Sequence, residues 1–228
     1  MVKTYLTAEE ITLMENSTTN LRDRLLLRML FRTGCRVSEA LALTVDDTDL
    51  ASGTVSILHL KSRIKLCCRH CNHRLGRGHT FCPKCGREVG SAVSQTLQHH
   101  RKRTLPLDGD TVDMLGEYIR RGGPVSREGV SHIFGINRHR AWQVVRDCAI
   151  KAGLPMLTNP DTGRNHNVSP HRLRDAFAVH AVKTDDSGDG LRMLQEQLGY
   201  QSFNTTARYR KVSGEEQREW YDRLWRKR

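Results

Sequence analysis

The chain has 228 residues, enough for one well-buried core with a small appendage. Lys and Arg number 37 against 25 Asp and Glu, a formal charge of +12, which favours a polyanionic partner, nucleic acid first and an acidic membrane surface second. No apolar run approaches the roughly 18 residues a membrane helix needs, and the N-terminus, MVKTYLTAEE, lacks the apolar core of a signal peptide, so a soluble cytoplasmic protein is expected.

Thr7-Ala8-Glu9-Glu10 is a capping-box pattern opening a first helix. Leu21, Leu25, Leu26, Met29 and Leu30 recur at helical spacing in a second, which Gly34 is placed to end in a left-handed cap. Arg36 then falls on the turn into a short helix, Val37 to Leu43.

Thr54 to Lys61 reads as a strand from its β-branched and aliphatic residues, with Lys102 to Leu107 as its partner. The two form a hairpin whose tip is replaced by a cysteine-rich insertion, residues 66–95 within one main domain of 1–228. From His59 to Arg103 there are eleven Lys/Arg and a single acid, Glu88, so nearly all the excess positive charge lies here. Lys61, Arg63, Lys65, Arg101, Lys102 and Arg103 are the candidate DNA contacts.

Cys68-x2-Cys71, ten residues, then Cys82-x2-Cys85 is a zinc-ribbon signature: two knuckles whose four thiolates close a tetrahedral site. Four protein ligands leave no position for substrate, so the expected Zn2+ is structural. Cys67 is an alternative to Cys68, and His70, His73 or His79 to a thiolate; Cys35 and Cys148 have apolar helical neighbours and read as core.

Helices follow at Thr111 to Arg121 and Arg138 to Ala152, then a polar loop over Thr158 to Asn167. Ser169-Pro170 supplies an N-cap and a first-turn proline, which puts His171 and Arg174 on one helical face. Leu191, Leu194 and Leu198 mark a helix ended by Gly199, and Asn204 can cap a short helix holding Tyr209. The segment 215–228 carries a thin apolar stripe, Trp220 and Leu224, able to dock on its own domain or on a neighbouring protomer.

Arg36, His171, Arg174 and Tyr209 together make a set able to attack a phosphodiester without a metal or ATP. Two guanidiniums clamp the non-bridging oxygens, an imidazole handles a proton and a phenol acts as covalent nucleophile.

Phe31-Arg32-Thr33-Gly34-Cys35-Arg36-Val37-Ser38-Glu39-Ala40-Leu41, Ser169-Pro170-His171-Arg172-Leu173-Arg174-Asp175-Ala176-Phe177, Leu198-Gly199-Tyr200 and Thr205-Thr206-Ala207-Arg208-Tyr209 resemble, in order, the catalytic domain of the tyrosine recombinase (phage integrase, Xer-type) family. The resemblance implies an α+β, mostly helical fold with a small β-hairpin. By it Arg36 and Arg174 bind the scissile phosphate, His171 handles a proton, Tyr209 forms a 3′-phosphotyrosyl link and Glu39 supports the site. The family's lysine general acid best matches Lys61, with Lys65 and Lys102 as alternatives. Tyr200 stands where relatives usually carry a histidine, keeping a hydrogen-bond donor without the positive charge.

The resemblance further implies double-stranded DNA as partner, a tetramer on DNA during exchange and monomers or weak oligomers in free solution. Relatives usually carry a separate helical clamp domain ahead of this region, and few residues precede it here, so affinity is expected from the basic segment, from assembly, from a second protein or from a longer parent chain. A DNA-binding protein with a degenerate site is the alternative from another class. A type IB topoisomerase or telomere resolvase shares the chemistry.

Overall fold

The computed structural model describes residues 3–58, 62–76, 78–89, 93–98, 102–159 and 162–200, with Thr206, Tyr209, Tyr221 and Trp225 singly. Lys61, Arg101 and most of 201–228, including Asn204, Trp220 and Leu224, lie outside the described residues, as do the side chains of Arg63 and Lys65.

The chain divides into two compact units, one of residues 1–57 and 103–228, the other Leu58–Lys102. In the larger, α1 (Ala8–Asn16) carries the full Thr7/Glu10 capping box. Helix α2 (Leu21–Thr33) starts at an Asn20 cap and ends at Gly34 with φ +60°, a conformation that costs an L-residue but not glycine. Leu25, Leu26, Leu27, Met29 and Leu30 are all buried, so α2 is the central rod of the core. Around it pack α1, α4 (Gly109–Arg120), α6 (Pro170–Thr184), the short α3 (Val37–Ala42) and α5 (Arg138–Lys151).

A three-stranded sheet has the order β1 (Thr48–Asp49), β2 (Thr54–Leu58), β6 (Lys102–Pro106), so the two expected strands do share a sheet. Helix α7 (Gly188–Leu198) begins at a Ser187 cap and ends at Gly199. It packs on α6 in a small satellite core of Ala178, Val182, Leu191, Leu194 and Leu198, which also buries the ring of Tyr209.

In the smaller unit β3 (Ser62–Cys67) pairs antiparallel with β5 (Val93–Gln98) over six residues, Ser62 opposite Gln98 and Cys67 opposite Val93. β4 (Arg74–Leu75) adds a third strand. The unit is therefore wider than its cysteine segment, with a β ribbon leading to the knuckles. Two short hairpins complete the described fold: β7 (Val125–Arg127) with β8 (Val130–His132), and β9 (Leu157–Thr158) with β10 (Asn165–His166). The latter lies in a stretch read from sequence as loop, because two-residue strands are too short to show a period.

Candidate active site and cysteine cluster

Two helix ends build the larger unit's site. The last carbonyls of a helix have no partner within it, and the dipole leaves that end negative, so an arginine is well placed there. Arg174 donates Nη1 to the Gly34 carbonyl at the end of α2 (2.5 Å) and Nη2 to the Leu198 carbonyl in the last turn of α7 (2.7 Å). Its Nε lies 3.4 Å from the Tyr200 hydroxyl, and the Tyr200 ring sits under the guanidinium at 4.8 Å. Arg174 is only 3% exposed, so its plane is fixed.

Gly34 matters beyond its φ. A Cβ there would come within 2.5 Å of Phe177 Cδ1 and 2.9 Å of Leu198 Cδ2, so the close approach of α2 to α6 and α7 requires glycine.

Arg36 is the N-cap of α3, and its amide is accepted by Glu39 Oε2 at 2.9 Å. Its Nη1 meets Glu39 Oε1, also at 2.9 Å, while the side chain stays 26% exposed. The Arg36 guanidinium lies 6.0 Å from the Tyr200 ring, so Arg36 and Arg174 flank the same tyrosine.

Glu39 is buried and also accepts from Arg103 Nη2 at 2.7 Å. Burial alone would raise its carboxyl, but the Arg103 hydrogen bond and charge, the Arg36 amide and the Arg36 charge overcome it and hold the group at about 2. Arg103, a DNA contact on sequence grounds, is thus drawn inward, its Nε donating to the Gln197 carbonyl at 3.1 Å. Alternation along β6 gave the signal: Arg103 and Leu105 turn inward, Lys102 and Thr104 outward.

Tyr209 donates its hydroxyl to Asp175 Oδ1 at 2.7 Å, and the Tyr200 hydroxyl lies 3.3 Å away on its other side. The same Oδ1 is 3.4 Å from His171 Nδ1, whereas Asp175 Oδ2 is 3.3 Å from Arg172 Nη1. Burial raises the Asp175 carboxyl, but His171, then Tyr209 and Arg172, outweigh it and keep it below its ordinary value. Burial, the Asp175 charge and Tyr200 push the Tyr209 phenol far upward. His171 is largely exposed. Arg36, Glu39, His171, Arg174, Tyr200 and Tyr209 are therefore linked through direct contacts, with Arg103 and Asp175 as the added partners. His171 to Asp175 is an i, i+4 step on one helix face, which is the sequence signal for Asp175.

In the smaller unit the Sγ atoms of Cys68, Cys71, Cys82 and Cys85 all lie within 4.8 Å of one another. Cys68–Cys85 and Cys71–Cys82 are 3.6 and 3.5 Å apart. A tetrahedron of thiolates at the usual Zn–S distance of about 2.3 Å has edges near 3.8 Å, so the set fits zinc.

The two halves repeat the same turn. The Asn72 amide donates to the Cys68 carbonyl and the Gly86 amide to the Cys82 carbonyl, each at 2.9 Å. Asn72 and Gly86 both adopt positive φ, 55° and 69°. Amides of Cys71 and His70 pull the Cys68 thiol down to about 6, while Cys71, which the His73 amide alone would lower, is pushed to about 12 by burial and the neighbouring sulfurs. Four sulfurs this close cannot all ionise unless a cation lies among them. His70 and His79 are otherwise engaged, with Arg87 and with the Gly76 amide. The apolar core here is small, Leu75 with Val89 against it, so a metal would be the main staple.

Residues 4–216 match the phage integrase family, and the chain belongs to it. Among curated proteins, the tyrosine recombinase XerD of Corynebacterium glutamicum is 27% identical over 214 residues, covering 91% of this chain and 52% of that protein. XerD of Mycobacterium tuberculosis is 31% identical over 202 residues, covering 85% and 49%. This chain thus spans about half the length of the curated relatives it matches. The fold is shared with the XerA recombinase crystal structure (TM-score 0.64, 20% identity, 100% of this chain and 65% of that one). It is shared also with the catalytic domain of bacteriophage HP1 integrase (TM-score 0.53, 16% identity, 96% and 94%).

Proposed function

We propose that the chain is a tyrosine-type DNA strand transferase, a site-specific recombinase or integrase, working on double-stranded DNA. The observation that carries this is the convergence of Arg36, Arg174, Tyr200 and Tyr209 within one contact network. Solved structures of the same fold include XerH bound to its difH substrate and lambda integrase bound to a core site.

Arg174 has three of its five N–H donors engaged by the two carbonyls and Tyr200, and the other two can donate to a non-bridging phosphate oxygen. Arg36, held by Glu39, takes the other oxygen, and the pair stabilises charge that grows in the transition state. Tyr209 Oη attacks phosphorus to form a 3′-phosphotyrosyl bond as the bond to the 5′ oxygen breaks. His171, beside the clamp, takes up the proton that Tyr209 Oη loses. A lysine, Lys61, Lys65 or Lys102, protonates the departing 5′ oxygen to give a hydroxyl. The return attack of a 5′-hydroxyl reseals the strand, so no nucleotide cofactor is consumed.

Cys68, Cys71, Cys82 and Cys85 hold one structural Zn2+, with the basic segment around them, including Lys61, Arg63, Lys65, Arg101 and Lys102, as a DNA-contacting arm. Exchange between two duplexes calls for four protomers, and residues 215–228 are the segment to pass between them. Tyr221 and Trp225 there are exposed. Among the described residues no helix is long and apolar enough to cross a membrane, in keeping with a cytoplasmic protein acting on the nucleoid.

The test is covalent trapping on nicked duplexes from the flanks of the gene, with zinc-loaded protein and a chelator of Mg2+. A denaturant-resistant protein–DNA adduct is expected. Tight DNA binding with no adduct would favour the inert DNA-binding reading, which Tyr200 in place of histidine motivates.

A further inference from the structure

Asp175 is in contact with both the proton-handling histidine and the nucleophile. It is 2% exposed on α6, one turn after His171, and a single oxygen, Oδ1, accepts from Tyr209 and faces His171. The Tyr209 ring is packed among Ala178, Val182, Leu191, Leu194 and Leu198 and is therefore held against that oxygen.

We propose that Asp175 is a positioning residue that restrains Tyr209, holding the nucleophile's proton in the resting site until a phosphodiester occupies the arginine clamp. This rests on the reading of Tyr209 as nucleophile. A phenolate next to a carboxylate would put two negative charges about 2.7 Å apart, so the neutral phenol is favoured. Burial acts in the same direction. Among the described residues, the charged or titratable groups facing Asp175 include His171 and Arg172 from its own helix and Tyr209; Tyr209 is faced in addition by Tyr200.

Attack requires the phenolic oxygen to leave Asp175 and come under the influence of Arg36 and Arg174, where positive charge favours the anionic form. A bound phosphate also repels the Asp175 carboxylate, so correct DNA engagement and release of the nucleophile are the same event. Off-site contacts that fail to fill the clamp leave Tyr209 restrained.

The experiment places 3,5-difluorotyrosine, a more acidic phenol, at position 209 of the full zinc-loaded chain and follows its ionisation by 19F NMR. It compares the unaltered Asp175 with Asp175→Asn and the smaller Asp175→Ser, each checked for folding by its thermal melt. Removal of the charge is expected to lower the ionisation midpoint by about one to two pH units. With ordinary tyrosine at 209, single-turnover adduct formation at pH 7 should rise about ten- to hundredfold, since each unit is a factor of ten in phenolate.

A midpoint unmoved in both variants overturns the restraint. So does a lowered midpoint with adduct formation abolished, which would make Asp175 the acceptor of the Tyr209 proton. A lowered midpoint with no adduct from any protein, unaltered chain included, leaves the restraint standing and overturns the proposed function.

Discussion

Arg103 and Glu39, 64 positions apart in sequence, meet at 2.7 Å with side chains 13% and 1% exposed. The same carboxylate caps the amide of Arg36 and binds its guanidinium, so β6 is tied to Arg36 through Glu39. A buried pair of this kind is weak evidence for stability but leaves a costly charge when one partner is removed.

Arg103→Met should therefore destabilise the larger unit by about 3 kcal/mol in urea unfolding at pH 7. The acid limb gives a second readout. Glu39 titrates at about 2 in the fold, against about 4.3 for an unfolded glutamate, so its contribution is complete above about pH 4.5 and lost as pH falls towards 2. In Arg103→Met that acid-dependent loss should shrink. An unchanged acid profile would mean that Arg103 does not hold Glu39.

Gly34→Ala is expected to cost about 2–4 kcal/mol, from the left-handed backbone and the contact with Phe177 and Leu198. Because the Gly34 carbonyl holds Arg174, the loss of DNA cleavage should exceed what the melt predicts. Cleavage measured well below the melting point separates the two effects.

Tyr200→Phe removes the hydroxyl that touches both Arg174 and Tyr209. Cleavage should fall by about 10- to 100-fold, less than the loss of a full oxyanion donor. Tyr200→His keeps a donor and should cleave better than Tyr200→Phe. Single-turnover rates on a nicked duplex decide this.

Cys82→Ser should remove zinc, counted as one ion per chain in the parent by elemental analysis and none in the variant. Residues 58–102 should then lose their protection from protease, and DNA binding should weaken and lose part of its salt dependence. Full DNA affinity in the zinc-free variant would exclude the arm.

Much of this was legible beforehand, and the exceptions have physical reasons. The Thr7 box, the Gly34 and Gly199 caps and the Ser169-Pro170 start are local signals, and the helices follow them. The partner of Arg103 depends on which face of β6 meets α3, so alternation gives its inward direction and only the fold gives Glu39. Likewise helical spacing pairs His171 with Asp175, but that Tyr209 reaches the same carboxylate follows from its place in the satellite core of α6 and α7, which only the fold gives. The alternation of Ile64 and Leu66 with Arg63 and Lys65 is the sequence signal for β3, but it is short, and its partner β5 lies beyond both cysteine pairs.

The most direct measurement is protease digestion and mass spectrometry of the trapped protein–DNA adduct. The account predicts a nucleotide remnant linked through phosphate to Tyr209 and no adduct from Tyr209→Phe. A remnant on any other residue, or an undiminished adduct from Tyr209→Phe, would contradict it.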